Sequence, residues 1–315
     1  DVTDSAAIDE ALAAVDCVVS AVPYLYGEGL ATAAVGNGCH YFDFGGNPSI
    51  VQRQLRLDTA ARDANVAVVP DCGLAPGYAN VLAAGMIAGA PAEGLDVQIR
   101  VGVLPQEPIG SLGYQLAFYA GGLINEYAEP CEIIAGGVAT TVEPLGRTER
   151  VIWPGFGELE AFSTAGGTST MCLEYQGRLN GLEYKTIRYW GHGVVFAALR
   201  EIGFFATEQR ANGVAPRDLL IELLTENLPS GAPDVTLISV VASAPGYRRE
   251  RRVEARSDDR FSSLARTTAF PATALCDMIT AGTNQFRGAA AMHSVADPDL
   301  LESALARLGI VAIDV

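Results

Sequence analysis

Two aspartates stand where short apolar runs give way to glycine. Asp43 lies in the stretch Tyr41-Phe42-Asp43-Phe44-Gly45-Gly46, and Asp71 in Val68-Val69-Pro70-Asp71-Cys72-Gly73. A carboxylate held at such a place can attract a bound ammonium or take a proton from it. It can equally cap a helix or stabilise a turn. A second group of candidates shares one stretch: Lys185, Arg188 and His192. A desolvated lysine can serve as a base. The arginine fork suits a carboxylate. The histidine is either an acid–base group or the opening turn of the next helix. Asp43, Asp71, Lys185 and His192 are therefore the candidates for proton transfer. Lys185 and Arg188 are three residues apart, so on a regular strand they point to opposite faces and cannot both line one pocket. Arg188, with Tyr114 and Thr168, is a candidate for substrate binding. Thr168 sits in the polar loop Gly166-Gly167-Thr168-Ser169-Thr170, which lacks the lysine of a phosphate-binding P-loop.

The remaining reactive types narrow the chemistry. The six cysteines are dispersed, with no CxxC pair, and read as reduced, mostly buried thiols of a cytoplasmic protein. Cys72 has no basic neighbour that would make it a thiolate and reads as small filler. The three histidines, His40, His192 and His293, lack zinc-ligand spacing, so no metal site is expected. A formal charge of -16 repels phosphate backbones and disfavours nucleic acid as a partner. No apolar run reaches the roughly 18 residues of a membrane helix. The 315 residues, 49% of them hydrophobic, suffice for one large core or two ordinary ones.

The elements that must position these residues follow from periodicity. Helical spacing covers Ser5 to Val15, Gly27 to Val35, Pro48 to Ala64 and Pro76 to Ala88. Short apolar runs between them, Cys17 to Val22, Tyr41 to Phe44 and Val66 to Val69, read as buried parallel strands. This alternation predicts a parallel sheet with ligand-binding loops at the carboxyl ends of its strands. The texture changes near residue 90. Strands are predicted at Asp96 to Val103, Cys131 to Ala135, Glu183 to Tyr189, Val235 to Ala244, Arg249 to Arg256 and Ala265 to Phe270. Several of them alternate as in a half-solvated antiparallel sheet. Helices are predicted at His192 to Phe205, Pro216 to Leu228, Pro271 to Ala281 and Pro298 to Leu308. The fold class is α/β: a partial Rossmann-type parallel sheet with a second α+β domain containing a mixed or antiparallel sheet. The domains are 1–90, 91–270 and a C-terminal helical segment, 271–315, that packs back on the first.

A dinucleotide-binding sheet opens with a strand, GxGxxG and a helix. That fingerprint is absent. Gly36-Asn37-Gly38 precedes a strand and reads as a helix end and turn. Asp1-Val2-Thr3-Asp4 resembles the tail of a strand running into a helix cap, so a preceding strand-and-helix segment is expected upstream.

Several segments resemble the saccharopine dehydrogenase family. They are VDCVVSAVP, HYFDFGG, VVPDCGLAPGYAN and EYKTIRYWGH followed by VVFAALREIGFF, with weaker matches in GLINEYAEP and LEAFSTAGGTST. Their order spans residues 1 to about 280. The resemblance implies an oxidoreductase acting on the CH–NH2 group of an amino acid, with NAD or NADP as cofactor and NAD favoured. It places the end of VDCVVSAVP near the nicotinamide ribose. The cofactor-binding positions are then Asp4, Ser20, Ala21, Val22, Pro23 and Gly45. The family's saccharopine branch carries a carboxylate-binding arginine shortly after a motif that Leu112-Gly113-Tyr114 resembles. An ungapped reading puts Gly121 there, and glycine offers no guanidinium. That departure, with the LINEY and YKTIRYWGH segments, points to the lysine 6-dehydrogenase branch, which oxidises the lysine ε-amine. The alternatives are a saccharopine dehydrogenase or reductase and a non-catalytic fragment or pseudoenzyme that acts as a binding module. A small amino-acid substrate and a homodimer or higher homo-oligomer are the expected partners.

Overall fold

The computed structural model describes residues 1–91, 93–211 and 213–315. They form two compact units. The first comprises Asp1–Ala90, Ser169–Met171 and Ala265–Ala312; the second comprises Pro91–Thr168, Cys172–Leu264 and Ile313–Val315. The chain begins with α1 (Ser5–Leu12), β1 (Cys17–Ser20), α2 (Gly27–Gly36), β2 (His40–Asp43), α3 (Pro48–Leu55), α4 (Asp58–Asp63), β3 (Ala67–Val69) and α5 (Tyr78–Ala88). The second unit follows with β4 (Asp96–Pro105), α6 (Ala120–Ala128), β5 (Cys131–Ala135), β6 (Val138–Val142), β7 (Glu149–Ile152) and β8 (Glu158–Ser163). Then come α7 (Met171–Tyr175), β9 (Gly181–Tyr189), α8 (His192–Glu201), α9 (Pro216–Asn227), β10 (Asp234–Ala244) and β11 (Tyr247–Arg256). The chain closes with α10 (Ser263–Thr280), β12 (Gly288–Ala289), α11 (Met292–Val295), α12 (Pro298–Arg307) and β13 (Ala312–Asp314).

In the first unit, β1, β2, β3 and β12 form a parallel sheet in that order. Apolar side chains from β2, β3 and the flanking helices close its core, among them Leu12, Ala31, Ala34, Tyr41, Val66 and Val68. Small residues on α2 let the helix lie close to the strands. Asp4 caps α1 by accepting hydrogen bonds from the N–H groups of Ala6 and Ala7 at 3.1 and 3.3 Å. The helix α2 ends at Gly36, and Gly38 turns the chain with φ +69°.

In the second unit the sheet is mixed, in the order β13-β11-β10-β4-β9-β5-β6, with β8 joining β9 to β7. Only β4 and β9 run parallel among the registered pairs; the others are antiparallel. The two faces carry separate cores. Leu159, Ala161, Ile187, Leu237 and Trp153 lie in one. Phe162, Tyr127, Phe196, Leu123 and Leu220 lie in the other, where α6, α8 and α9 supply the cover. Alternate residues of β8 thus feed opposite cores, as the two-residue strand period requires.

The structure corrects several expectations. Ala265 to Phe270 is not a strand: it lies in the eighteen-residue helix α10, which runs through Pro271. The helix starts where the Asp234 carboxylate accepts the N–H groups of Ser263 and Leu264 at 2.7 and 3.1 Å. That cap comes from a distant strand and is invisible in local sequence. The helix predicted over 48–64 breaks into α3 and α4 at Arg56 and Leu57. Asp58 fixes the new direction by accepting from the Ala289 N–H at 2.9 Å and from Arg62 Nε at 3.0 Å. The strand β10 does not alternate, being buried on both faces over most of its length. The cysteines are not all reduced. Cys17 and Cys276 form a disulfide, while Cys39, Cys72, Cys131 and Cys172 are free and buried. The short, largely polar strands β6 and β7 and the buried strand β8 add to the predicted elements.

Candidate functional site

The carboxyl ends of β2 and β3 bring Asp43 and Asp71 together in the first unit. Asp43 is an anchor. Its Oδ2 accepts from Tyr41 Oη at 2.9 Å and Gln54 Nε2 at 2.6 Å, and its Oδ1 accepts from the N–H groups of Gly45 at 2.9 Å and Asp71 at 3.3 Å. Its carbonyl accepts the Cys72 N–H at 2.8 Å. Four donors saturate the carboxylate, so it ties two strand ends together and has little capacity left for a ligand.

Asp71 is different. It is buried, sits in the left-handed region at φ +59°, and accepts one side-chain hydrogen bond, from Ser169 Oγ to Oδ2 at 2.6 Å. Its Oδ1 occupies the space where any side chain at Gly45 would begin, and Gly45 itself adopts φ +70°. Burial pushes the Asp71 carboxyl up to about 7; the Asp43 charge adds to that rise, and the Ser169 hydroxyl pulls against it. A carboxyl that changes charge near neutral pH can both take and return a proton there. Cys72, beside it, donates to the Val69 carbonyl at 3.1 Å, and burial drives its thiol far up, so it is no nucleophile.

The cofactor-directed residues lie on the same unit. Ser20 ends β1, and Ala21, Val22 and Pro23 follow as an exposed loop. Asp4 is exposed, and one of its oxygens is used by the α1 cap.

In the second unit Arg188 is buried on β9 and held in a defined pose. Its Nε donates to Tyr127 Oη at 3.0 Å, its Nη1 donates to the Ile187 carbonyl at 3.0 Å, and its guanidinium lies 5.1 Å over the Tyr114 ring. His192 completes the chain. Its Nδ1 lies 3.2 Å from the Leu112 carbonyl, which can only accept, so Nδ1 carries the proton. Its Nε2, 3.0 Å from Tyr127 Oη, must then accept the tyrosine proton. The order is Arg188 to Tyr127, Tyr127 to His192, and His192 to the backbone. Phe196 stacks on the imidazole at 4.7 Å. Burial, helped by the Arg188 charge and opposed by the Leu112 carbonyl, lowers the His192 pKa to about 3. His192 is thus neutral at physiological pH. It orients Tyr127 and has no proton to lend.

Lys185 faces the opposite side of β9 from Arg188. It is buried between Glu149 at 3.2 Å and Glu183 at 3.6 Å. Arg100 pairs with the same Glu149 at 2.5 Å and Arg147 with Glu183 at 3.0 Å, which makes Lys185 part of an ion-pair network. Thr168 is buried and shares a hydrogen bond with the Cys172 thiol, while Tyr114 is brought directly to Arg188. Gly121 lies on α6, and a side chain there would strike the Tyr119 ring.

Sequence reading missed Ser169, Tyr127 and Glu126. Ser169 is 98 residues from Asp71 and Tyr127 is 61 from Arg188, so no local spacing joins them. Glu126 is half-buried, and burial pushes its carboxyl up to about 7 against the pull of Arg188. The one signal available was its place inside GLINEY, among apolar residues at helical spacing. Among the described residues no group of three histidine, cysteine or acidic side chains could hold a metal ion.

A parallel sheet with acidic strand-end loops, joined to a mixed-sheet unit with a buried arginine, defines a Rossmann-type α/β protein with an appended second domain. Residues 73–313 match the model of the saccharopine dehydrogenase C-terminal domain, and the chain belongs to that family. It is 25% identical over 219 residues to saccharopine dehydrogenase (NADP+, L-glutamate-forming) of Pyricularia oryzae, a match covering 67% of this chain and 48% of the relative. The chain thus spans about half the length of that curated relative. Its fold is similar to apo saccharopine dehydrogenase (L-Glu forming) from Saccharomyces cerevisiae, with a TM-score of 0.78 and 19% identity, over 100% of this chain and 88% of that one. No helix among the described residues is long and apolar enough to cross a membrane.

Proposed function

We propose that this chain serves an NAD(P)-dependent oxidoreductase that acts on the amine-bearing carbon of an amino acid, with the lysine ε-amine as the reacting group. The observation that carries the reading is Asp71: a buried carboxyl at a strand end, with a pKa of about 7, beside a glycine that admits no side chain. A substrate ammonium must lose a proton before its carbon can give up hydride, and Asp71 accepts that proton. Ser169 holds the carboxylate oriented through its 2.6 Å hydrogen bond. Asp43 fixes the backbone of Gly45 and Asp71, so that the base does not drift. The exposed loop Ala21 to Pro23, following Ser20 at the end of β1, fits the nicotinamide-ribose half of a dinucleotide. The nicotinamide, when bound, supplies the hydride acceptor. Arg188, on the second unit, is by its own chemistry a cation suited to a carboxylate. Lys185 is engaged by Glu149 and Glu183, and the neutral His192 orients Tyr127.

A second reading, oxidation of saccharopine itself, is favoured by the name of the Pyricularia oryzae relative. Gly121 speaks against it, because no guanidinium stands where the saccharopine branch carries one. The test is a substrate panel. The purified protein is given L-lysine, saccharopine and other amino acids with NAD+ and with NADP+, and formation of reduced nicotinamide is followed. Faster reduction with L-lysine supports the first reading and faster reduction with saccharopine the second. Reduction with neither, under conditions where the cofactor is shown to bind, contradicts both.

A further inference from the structure

Asp71 is placed to hold a proton but poorly placed to meet a substrate, being only 4% exposed. Its Oδ1 lies against the backbone of Gly45, in the space where a side chain there would begin. Its Oδ2 is covered by the Ser169 hydroxyl, which donates to it at 2.6 Å. Both carboxylate oxygens thus face protein atoms. Ser169 is half-buried, so it is the member of the bonded pair that solvent reaches. Its hydroxyl has one proton, committed to Asp71, and two lone pairs that accept no hydrogen bond among the described residues. The backbone adds an independent sign. Neither residue is glycine, yet both lie in the left-handed region, Asp71 at φ +59° and Ser169 at φ +50°. L residues enter that region at a cost, which is retained where the surroundings impose it and where function uses the resulting pose. Here the two strained residues, 98 apart in sequence, meet at one hydrogen bond. The Ser169 segment is also tied to α5: Asn80 Nδ2 donates to Met171 Sδ at 3.3 Å, and Asn80 Oδ1 accepts the Gly77 N–H at 2.7 Å.

Resting on the amino-acid reading above, we propose that Ser169 is a further catalytic residue: its hydroxyl meets the substrate ammonium and relays the proton inward to Asp71. An N–H bond of the ammonium breaks as its proton joins a lone pair of Ser169 Oγ. The Oγ–H bond that points at Asp71 breaks as that proton joins Oδ2. The nitrogen keeps the electron pair of its broken bond. Serine ends as a neutral hydroxyl, the substrate as a neutral amine and Asp71 as a carboxylic acid. Nothing is oxidised or reduced in this step; hydride leaves the deprotonated substrate afterwards. Burial of Asp71, which raises its carboxyl, favours its taking the proton. The relay explains how a carboxylate shut away from solvent acts on a substrate at all.

The test is kcat/KM for L-lysine oxidation by the full chain, with cofactor saturating, across pH and in mixtures of H2O and D2O. Wild type, Ser169→Ala and Asp71→Asn are compared. In the wild type two protons move together, so the rate should fall with deuterium content along a bowed curve. Ser169→Ala should lose the bow and about 100-fold or more of the rate on the plateau above the rising limb, through kcat more than KM. A hydroxyl that only orients Asp71 behaves otherwise. Its hydrogen bond holds the Asp71 pKa down, so its loss moves the limb to higher pH while the plateau returns to nearly the wild-type rate. Such a plateau overturns the relay, and so does a straight wild-type deuterium plot whatever the variants do. In either case a slow Asp71→Asn leaves Asp71 standing as the base. If Asp71→Asn is as fast as wild type, or if no amino acid is oxidised, the amino-acid reading and the relay fall together. Should Ser169→Ala fail to fold, Ser169→Gly removes the hydroxyl and adopts φ +50° without strain.

Discussion

At the scale of single residues, two aspartates of like sequence context have opposite physical characters. Both close a parallel strand ahead of glycine, and both were legible as candidates for that reason. What separates them is the number of donors each meets: four for Asp43 and, on the side chain, one for Asp71. Sequence cannot count donors that arrive from Gln54 and Ser169. The consequence is measurable as a stability effect. The folded-state pKa of Asp71, about 7, lies above its ordinary 3.8, so the folded protein binds more protons than the unfolded chain between those values. Asp71 therefore lowers stability as pH rises from about 4 to about 7, and its effect is constant above that. Asparagine keeps the acceptor for Ser169 and tolerates φ +59°. The melting temperature of Asp71→Asn, relative to wild type at each pH, should climb across that window and then level off. A difference that stays constant from pH 4 to pH 8 would show that Asp71 does not titrate near neutrality. His192 carries the converse lesson. The sequence offered it as an acid–base group or as the opening turn of a helix; it opens α8, and burial with the Arg188 charge keeps it neutral.

At the scale of elements, the alternation of helices and short strands in the first 90 residues was readable because the strands are short apolar runs, the last of them fully buried, set between segments of helical spacing. Reading failed where an element depends on a remote partner. The helix α10 is started by Asp234, 29 residues before Ser263, and Pro271, which locally looks like a helix start, lies inside it. The burial of β10 on both faces is likewise set by what packs onto those faces, which its own residues do not reveal. The contact between the ends of β2 and β3 gives a test at this scale. Gly45 and Gly38 have nearly the same dihedral, φ +70° and +69°, but a side chain at Gly38 meets open space whereas one at Gly45 meets Asp71. Alanine at position 38 should cost about 1–2 kcal/mol, the strain of the left-handed region alone. Alanine at position 45 should cost roughly 1–3 kcal/mol more, as overpacking does in a tight interior, and should also displace Asp71. Chemical denaturation of the two variants compares them. Equal losses would mean that Asp71 moves aside freely and is not held in place.

At the scale of the whole molecule, each of the two units carries its own candidate groups. The first carries the buried carboxyl of Asp71 at the strand ends; the second carries Arg188, fixed by Tyr127 and the Ile187 carbonyl. The fold class and the family were legible because patterned burial and a few segments such as HYFDFGG and EYKTIRYWGH survive in the sequence. The division of labour within the candidate groups was not, because it depends on burial and on bonds across long sequence separations. The central claim is that Asp71 accepts the proton of an amino-acid ammonium during oxidation. It is tested most directly by the pH dependence of kcat/KM for L-lysine oxidation, with cofactor saturating, in the wild type and in Asp71→Asn. The wild-type profile should rise through an apparent pKa near 7 as Asp71 ionises. The variant should lose that limb and about 100-fold or more of its activity, while its fold, followed by circular dichroism, is retained. A variant that keeps both the limb and the rate would contradict the account.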